Sequence, residues 1–161
     1  MDDKVEISLI FRPIDLTAHR AVAIRFCKDA HLCSFGHIDR FKADEYKAWL
    51  EKRMEQDPWA GVHIWFQGEI IGQMELGSYR VDPSIGYVNL YYLIPELRGT
   101  QISPKLDEFA VQHLRKQGYR RAYLSVSPTN ARAHRYYQRL GWRDLGPRPE
   151  DPAVHLMERM L

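Results

Sequence analysis

Alternating apolar and polar positions open the chain and return in its middle. Val5, Ile7, Leu9 and Phe11 alternate with less apolar neighbours before Arg12-Pro13, which predicts an opening strand. The run VHIWFQGEIIGQMELG, residues 62–77, predicts two strands joined by a Gln-Gly turn, and GYVNLYYLI predicts a third. The three later strands should form an antiparallel meander.

Helical spacing occupies much of the rest of the chain. Asp15 or Thr17 is expected to cap a first helix that ends near Leu32, and a second helix is expected from about Ala43 to Gln56. A third follows the segment ELRGTQIS, with an apolar face, and ends at Gly118. After it come a strand, RAYLSVS, and two closing strands near residues 142–145 and 154–160.

The stretch SPTNARAHRYYQRLGW, residues 127–142, predicts a fourth helix between those strands. Apolar side chains recur at positions i, i+3, i+4 and i+7, namely Ala133, Tyr136, Tyr137 and Leu140. Thr129 or Asn130 can cap its start, and Gly141 can end it. A capped amphipathic helix explains most of this segment without any functional role.

The length and composition predict a single domain spanning residues 1–161. The chain has 161 residues, of which 45% are hydrophobic, so it can bury one core. It contains no run of about 18 apolar residues, and its acidic N-terminus does not resemble a signal peptide, so we expect a cytoplasmic protein with no membrane partner. Cys27 and Cys33 fall in one predicted helix as reduced thiols, and no metal-ligand spacing occurs, so no metal is expected.

Charge is distributed unevenly along the chain. Residues 98–148 hold eleven Lys and Arg against three acids, although the formal net charge of the chain is only +2. A basic segment favours an anionic ligand, and the acidic remainder favours a cationic or amine partner, but solvated arginines produce such imbalances as well. Nucleic-acid binding is not expected, because the basic residues lack interleaved aromatics in a recognisable module.

The turn from Glu96 to Pro104 joins a predicted strand to a helix. Converging backbone N–H groups and the helix dipole make such a turn an anion site, most naturally for phosphate. Ser103-Pro104 is also an ordinary helix start, and the turn matches neither the dinucleotide fingerprint nor the P-loop. The turn alone therefore leaves both interpretations open.

Taken together, the turn and the fourth helix resemble the GNAT N-acetyltransferase superfamily. The segment LIPELRGTQIS matches the coenzyme A signature of that family at Leu93, Pro95, Arg98 and Gly99. A second family motif is matched at five fixed spacings, by Asn130, Ala133, Tyr137, Gly141 and Trp142. The sequence departs from the first signature where Gln101 and Ser103 replace the usual small residues, which puts the close approach of backbone to phosphate in question.

The resemblance implies an α/β (α+β) three-layer fold. Its central sheet is mixed but mostly antiparallel, with helices on both faces and a splayed parallel pair formed by GYVNLYYLI and RAYLSVS. Acetyl-CoA, or another acyl-CoA, would enter the gap between these strands as co-substrate. The residues that the resemblance assigns to coenzyme A are Leu93, Arg98, Gly99, Thr100, Gln101, Ile102, Ser103, Asn130, Ala133 and Tyr137.

The resemblance also implies a reaction, the direct transfer of an acetyl group to a primary amine of a small molecule or peptide. Tyr137 matches the general acid that protonates the departing thiolate, while Tyr136 matches a packing position. In many family members a carboxylate on the third meander strand acts as the general base that deprotonates the amine, and this chain has Asn89 there. Glu75, expected at the surface of the neighbouring strand, is the best substitute for that base. Other candidates lie in loops: His37, Asp39, Tyr79 and Asp82.

A second function remains open at this stage. Gln101 and the missing strand carboxylate favour a non-catalytic sensor that binds coenzyme A, or a protein-interaction module on the same scaffold. The acidic N-terminal portion would suit a polycation or an amino sugar as acceptor. A homodimer is also open, because small domains of this kind often pair.

Overall fold

The structure is a computed structural model that describes residues 7–161. Val5, part of the predicted opening strand, lies outside the described residues. The strands are β1 (Ile10–Pro13), β2 (Gly61–Phe66), β3 (Glu69–Ser78), β4 (Gly86–Leu93), β5 (Arg121–Val126), β6 (Arg143–Arg148) and β7 (Asp151–Met160). The α-helices are α1 (Arg20–Phe35), α2 (Ala43–Gln56), α3 (Ser103–Lys116) and α4 (Ala131–Arg139).

The seven strands of the described chain form one mixed sheet in the order β1-β2-β3-β4-β5-β7-β6. Every neighbouring pair is antiparallel except β4 and β5, which run parallel. The predicted meander is β2, β3 and β4, and the turn between the first two has positive φ at both Gln67 and Gly68. The α/β class and the mixed sheet expected from the sequence are confirmed.

The parallel strands β4 and β5 pair only at their N-terminal ends. Their register joins Gly86–Val88 to Ala122–Leu124 and stops there, although β4 continues to Leu93 and β5 to Val126. At the same level β4 contains a bulge against β3, because Leu76 pairs with Val88 while Glu75 pairs with Leu90. Asn89 is therefore an extra residue at the point where β4 leaves β5.

Helices cover both faces of the sheet. Leu106 and Ala110 of α3 pack with Met74 and Val88 in the main core. Side chains alternate between the faces of a strand, so Gln73 points away from α3, and its amide donates to the carbonyl of Ala23 on α1 at 3.3 Å. The helices α1 and α2 therefore lie on the face opposite α3.

Several predicted boundaries were wrong. Asp15 does not cap α1, because its carboxylate accepts from Thr17 and Ala18 in a separate turn, both at 3.0 Å, and the helix begins only at Arg20. The strand β6 ends at Arg148, three residues later than the expected 145. The strand β7 begins at Asp151, three residues earlier than the expected 154. Strand β6 accepts Pro147 because it lies at the edge of the sheet, where proline removes no ladder hydrogen bond.

The two cysteines both lie on α1, as predicted. Cys27 is buried, Cys33 is exposed, and both are free thiols. Among residues 7–161, each helix is too short or too polar to cross a lipid bilayer.

Candidate functional site

The divergence of β4 and β5 opens a cleft of about 380 Å³. Its walls come from β4, the turn after it, α3, β5 and α4, with residues of α1 at one side. Seven of the residues predicted to bind coenzyme A line this cleft: Leu93, Arg98, Gly99, Ser103, Asn130, Ala133 and Tyr137. The fold therefore brings the two sequence motifs to one place.

Three predicted residues of the turn do not line the cleft with their side chains. The Thr100 hydroxyl donates to the Leu97 carbonyl at 2.6 Å, and Ile102 is buried in the core. Gln101 is exposed, and its φ lies outside the left-handed region, which Gly99 does occupy at +73°. The departure at Gln101 thus requires no backbone strain and does not block the cleft.

The cleft carries a net positive charge. Arg98, Arg132 and Arg139 line it, with Asp107 as the acid among its lining residues. The Arg98 guanidinium is held against the end of β4, because its Nε donates to the Leu93 carbonyl at 2.8 Å. This excess of cationic side chains favours an anionic ligand.

Asp107 and Tyr91 form a buried polar group at the floor of the cleft. The Asp107 carboxylate accepts from the indole of Trp142 at 2.9 Å and from the hydroxyl of Tyr91 at 3.2 Å. Burial raises the pKa of Asp107, although these hydrogen bonds and Arg159 act in the opposite direction. Sequence reasoning missed this group, since its members come from separate elements.

Helix α4 presents its first turn and its two tyrosines to the cleft. The Asn130 side chain caps the helix by accepting from the backbone N–H of Ala133 at 3.2 Å. Tyr136 lines the cleft beside Tyr137, although the family resemblance assigned it only to packing. Asn130 therefore has a structural role whether or not a ligand binds.

Replacing Asn130 by alanine is expected to lower the free energy of unfolding by about 1 kcal/mol, because one helical N–H loses its acceptor. For a chain of this size the melting temperature should fall by about 2–4 °C. Chemical and thermal unfolding measure both values. Asn130→Ser keeps a capping oxygen and should retain most of the stability, so an equal loss in the two variants would contradict the capping role.

The Tyr137 side chain is half-buried between Tyr91 and Trp142. Its ring centroid lies 5.9 Å from that of Tyr91 and 6.5 Å from that of Trp142. Burial, with smaller effects of Tyr136 and Asp107, raises the pKa of the Tyr137 phenol. The Tyr137 phenol is therefore protonated at neutral pH. No side chain in the described part of the protein hydrogen-bonds its hydroxyl, so the O–H group is available as a donor.

The sequence profile of the Acetyltransferase (GNAT) family matches residues 24–142, which include the whole cleft between β4 and β5. The chain belongs to the GNAT acetyltransferase family. No curated protein matches it by sequence.

Solved structures share the fold of this GNAT protein. An acetyltransferase from Thermus thermophilus is 18% identical, with a TM-score of 0.77 over 96% of this chain and 98% of that one. YncA, a candidate acetyltransferase from Salmonella typhimurium solved with acetyl-CoA, is 18% identical, with a TM-score of 0.75 over 96% and 94%. PaiA N-acetyltransferase from Thermoplasma acidophilum, solved with coenzyme A, is 14% identical, with a TM-score of 0.69 over 96% and 100%.

Glu75 of this GNAT acetyltransferase is buried, and its expected surface position was wrong. It points to the face covered by α1 and α2, where its carboxylate accepts from the Tyr46 hydroxyl and from the Gln73 amide at 3.4 Å. Burial raises the pKa of Glu75 above its ordinary value of 4.5, against those two hydrogen bonds and the charge of Arg53. Glu75 lines neither the cleft nor the second cavity described next.

A second cavity, of about 610 Å³, lies between α2 and the sheet. Tyr87 and Arg148 line it, and the Tyr87 hydroxyl is 2.6 Å from the hydroxyl of Ser125, which lines the cleft. This pair of hydrogen-bonded hydroxyls therefore lies between the two cavities of the GNAT domain. Arg148 was missed in the sequence, because β6 was expected to end near residue 145.

The predicted loop candidates are dispersed in the structure. His37 and Asp39 are exposed, with His37 Nδ1 3.7 Å from Asp39 Oδ2. Neither residue lines the cleft or the second cavity. Asp82 caps a turn by accepting from Ser84. Only Tyr79 among these candidates lines the second cavity of the GNAT domain.

Proposed function

We propose that the protein is an N-acetyltransferase that moves an acetyl group from acetyl-CoA to a primary amine of a small molecule or peptide. The observation that carries this proposal is the cleft where β4 leaves β5 at the Asn89 bulge. The edge of β4 beyond Val88 has no strand beside it there, so its backbone N–H and C=O groups can bind an extended ligand as a strand would.

The residues around the cleft fit coenzyme A in charge and shape. The backbone from Arg98 to Ser103, including Thr100, Gln101 and Ile102, would meet the phosphates at the start of α3, with Arg132 nearby. Leu93, Asn130 and Ala133 would line the path of the pantetheine arm. The relatives YncA and PaiA, solved with acetyl-CoA and coenzyme A, support this fit.

In the proposed reaction the neutral amine nitrogen attacks the thioester carbonyl carbon, and the bond from that carbon to sulfur breaks. A backbone N–H of β4 stabilises the carbonyl oxygen as it gains negative charge. Tyr137 gives its proton to the departing sulfur and is reprotonated from solvent. The amine nitrogen loses one proton as the amide forms.

A proton acceptor is required because an amine with a pKa near 10 is almost wholly protonated at pH 7. We assign this role to Glu75 acting through Tyr46 and intervening water, since neither residue lines either cavity. The Tyr46 ring packs on Trp49, with centroids 6.2 Å apart, and Trp49 lines the second cavity. Because burial raises the pKa of Glu75, its carboxylate is a stronger base than that of an ordinary glutamate.

Isothermal titration with acetyl-CoA tests the first step. We expect saturable binding with a dissociation constant below about 1 mM, which corresponds to about −4 kcal/mol or stronger. Absence of heat at millimolar ligand would overturn the proposal. Binding of desulfo-CoA, which has the phosphates and pantetheine arm without the thioester, is the matched comparison.

The burial of Glu75 also favours a second function, a sensor that binds coenzyme A without catalysis. A thiol-release assay with a panel of amines separates the two functions. An enzyme releases free coenzyme A with at least one amine, whereas a sensor binds acetyl-CoA and releases none above the rate in buffer.

A further inference from the structure

Three arginines line the second cavity, and this inference rests on the proposed acetyl transfer. They are Arg53 on α2, Arg80 after β3 and Arg148 at the end of β6, with Asp57 as the acid among the lining residues. The acidic remainder of the sequence favoured a cationic acceptor. The second cavity, beside the cleft, is instead positively charged.

Arg53 is a half-buried cation that forms no salt bridge in the described part of the protein. No carboxylate oxygen among residues 7–161 lies within 4 Å of its guanidinium, which instead donates to the Asn89 side chain and the Leu76 carbonyl, both at 3.2 Å. Burial lowers its pKa against the opposing charges of Glu75 and Asp57, and an arginine side chain remains charged at neutral pH. A partly desolvated, unpaired guanidinium favours an oxyanion.

The position of Arg53 is fixed by its neighbours. Its guanidinium lies 4.7 Å from the ring centroid of Trp49, and it occupies the place that a Cβ on Gly77 would take. The side chain therefore crosses β3 closely and reaches Asn89, the bulge residue at the point where β4 leaves β5. An anion bound by Arg53 would lie beside this bulge, which lines the second cavity.

Arg148 also lines the second cavity and is already paired. Its Nε donates to Glu150 at 2.7 Å, and one terminal nitrogen donates to Tyr87 and Ser125, both at 3.0 Å. These contacts hold the hydroxyl pair between the cavities. Arg53, together with the exposed Arg80, is left as the cationic end of the second cavity.

We propose that the acceptor is a small amine that also carries an oxyanion, either a carboxylate or a phosphate, and that Arg53 binds this anionic group. A cavity of about 610 Å³ suits a small molecule. With its anion at Arg53, the acceptor directs its amine past Asn89 toward the cleft. A polycation or an amino sugar is excluded as the preferred acceptor.

Matched pairs of amines test the proposal. Alanine is compared with alanine amide, and O-phosphoethanolamine with ethanolamine, by the rate of coenzyme A release from acetyl-CoA. The anionic member of at least one pair should have kcat/KM about tenfold higher or more, the effect of one charge-assisted hydrogen bond. The pair that shows the preference identifies carboxylate or phosphate. The amine of alanine amide loses its proton more readily, so intrinsic reactivity opposes the expected preference in the first pair.

Arg53→Gln should remove this preference. We expect kcat/KM for the anionic amine to fall about tenfold or more relative to kcat/KM for its neutral partner, mainly through KM, because any effect of the lost charge on Glu75 acts on both amines alike. Lys52 is the neighbouring residue on the same helix and lines neither cavity, so Lys52→Gln is the matched control and should change kcat/KM for neither amine. Gly77→Ala displaces the Arg53 guanidinium without a strained φ and should reproduce Arg53→Gln even if that variant folds poorly.

A binding measurement gives a readout that does not depend on turnover. N-acetylalanine and N-acetylalanine amide, the products of the first pair, are titrated into the protein, as are the N-acetylated products of the second pair. The anionic product of the preferred pair should bind more tightly to the wild type and lose that advantage in Arg53→Gln.

The outcomes separate this inference from the proposed function. Equal kcat/KM within both pairs, or a preference that survives Arg53→Gln and Gly77→Ala, overturns the anionic acceptor and leaves acetyl transfer intact. Absence of coenzyme A release with every amine, without tighter binding of an anionic product, overturns both.

Discussion

Replacing Tyr137 by phenylalanine is expected to lower kcat about 100-fold or more at neutral pH, with the affinity for acetyl-CoA unchanged. The phenol is the proposed donor to the departing sulfur, and a general acid typically contributes a factor of about 10² to 10⁴. The ring remains, so its packing between Tyr91 and Trp142 should be kept. Steady-state turnover and titration with acetyl-CoA measure the two quantities.

The neighbouring tyrosines provide the comparisons for this result. Tyr136 lines the same cleft, so Tyr136→Phe shows which of the two hydroxyls is the donor. Tyr123 is on β5 and lines neither cavity, so Tyr123→Phe should retain wild-type turnover. An undiminished kcat in Tyr137→Phe would show that the thiolate leaves without this acid.

Replacing Glu75 by glutamine is expected to lower kcat/KM about 100-fold, because the amide cannot take a proton from the amine through Tyr46. The wild-type rate should fall as the pH decreases through the pKa of Glu75, since only the carboxylate accepts the proton. Burial raises that pKa, so the fall should begin above pH 4.5. The pH profile of kcat/KM should lose this acidic limb in Glu75→Gln.

Tyr46→Phe distinguishes a proton relay from a structural contact. It leaves the Glu75 carboxylate in place but removes the hydroxyl that donates to it. If the two residues act as one relay, kcat/KM of the double variant should be no lower than that of the slower single variant. A pH profile that keeps its acidic limb in both single variants would make the Glu75 contact purely structural.

The strands of the meander were predictable because their signals are local. Alternation of apolar side chains predicts β2 and β3, and Gln67-Gly68 forms their turn with both residues at positive φ. The second helix was predicted with its observed bounds, Ala43–Gln56. The turn at Arg98–Ser103 and the first turn of α4 were assigned to one cleft by the family resemblance, because each matches the family as a continuous motif.

What the sequence did not predict depends on contacts between distant segments. Gln73 and Glu75 look like a solvent-facing stripe on β3, but α1 and α2 cover that face, and Tyr46 lies 29 residues away from Glu75 along the chain. The strand β6 was expected to end near residue 145, yet an edge strand accepts Pro147, and this extension places Arg148 in the second cavity. Ser125 carries no motif of its own and gains its position only when β5 parts from β4.

The bulge in β4 changes which side chains share a face. Strict alternation would put Tyr92 on the side of Val88, but Tyr91 donates to Asp107 on α3 while Tyr92 donates to Asp29 on α1. Deleting Asn89 would restore an even spacing and keep both tyrosines on their present sides. We expect the shortened strand to run flush with β5, so that the proposed entrance for a thioester depends on a single inserted amino acid.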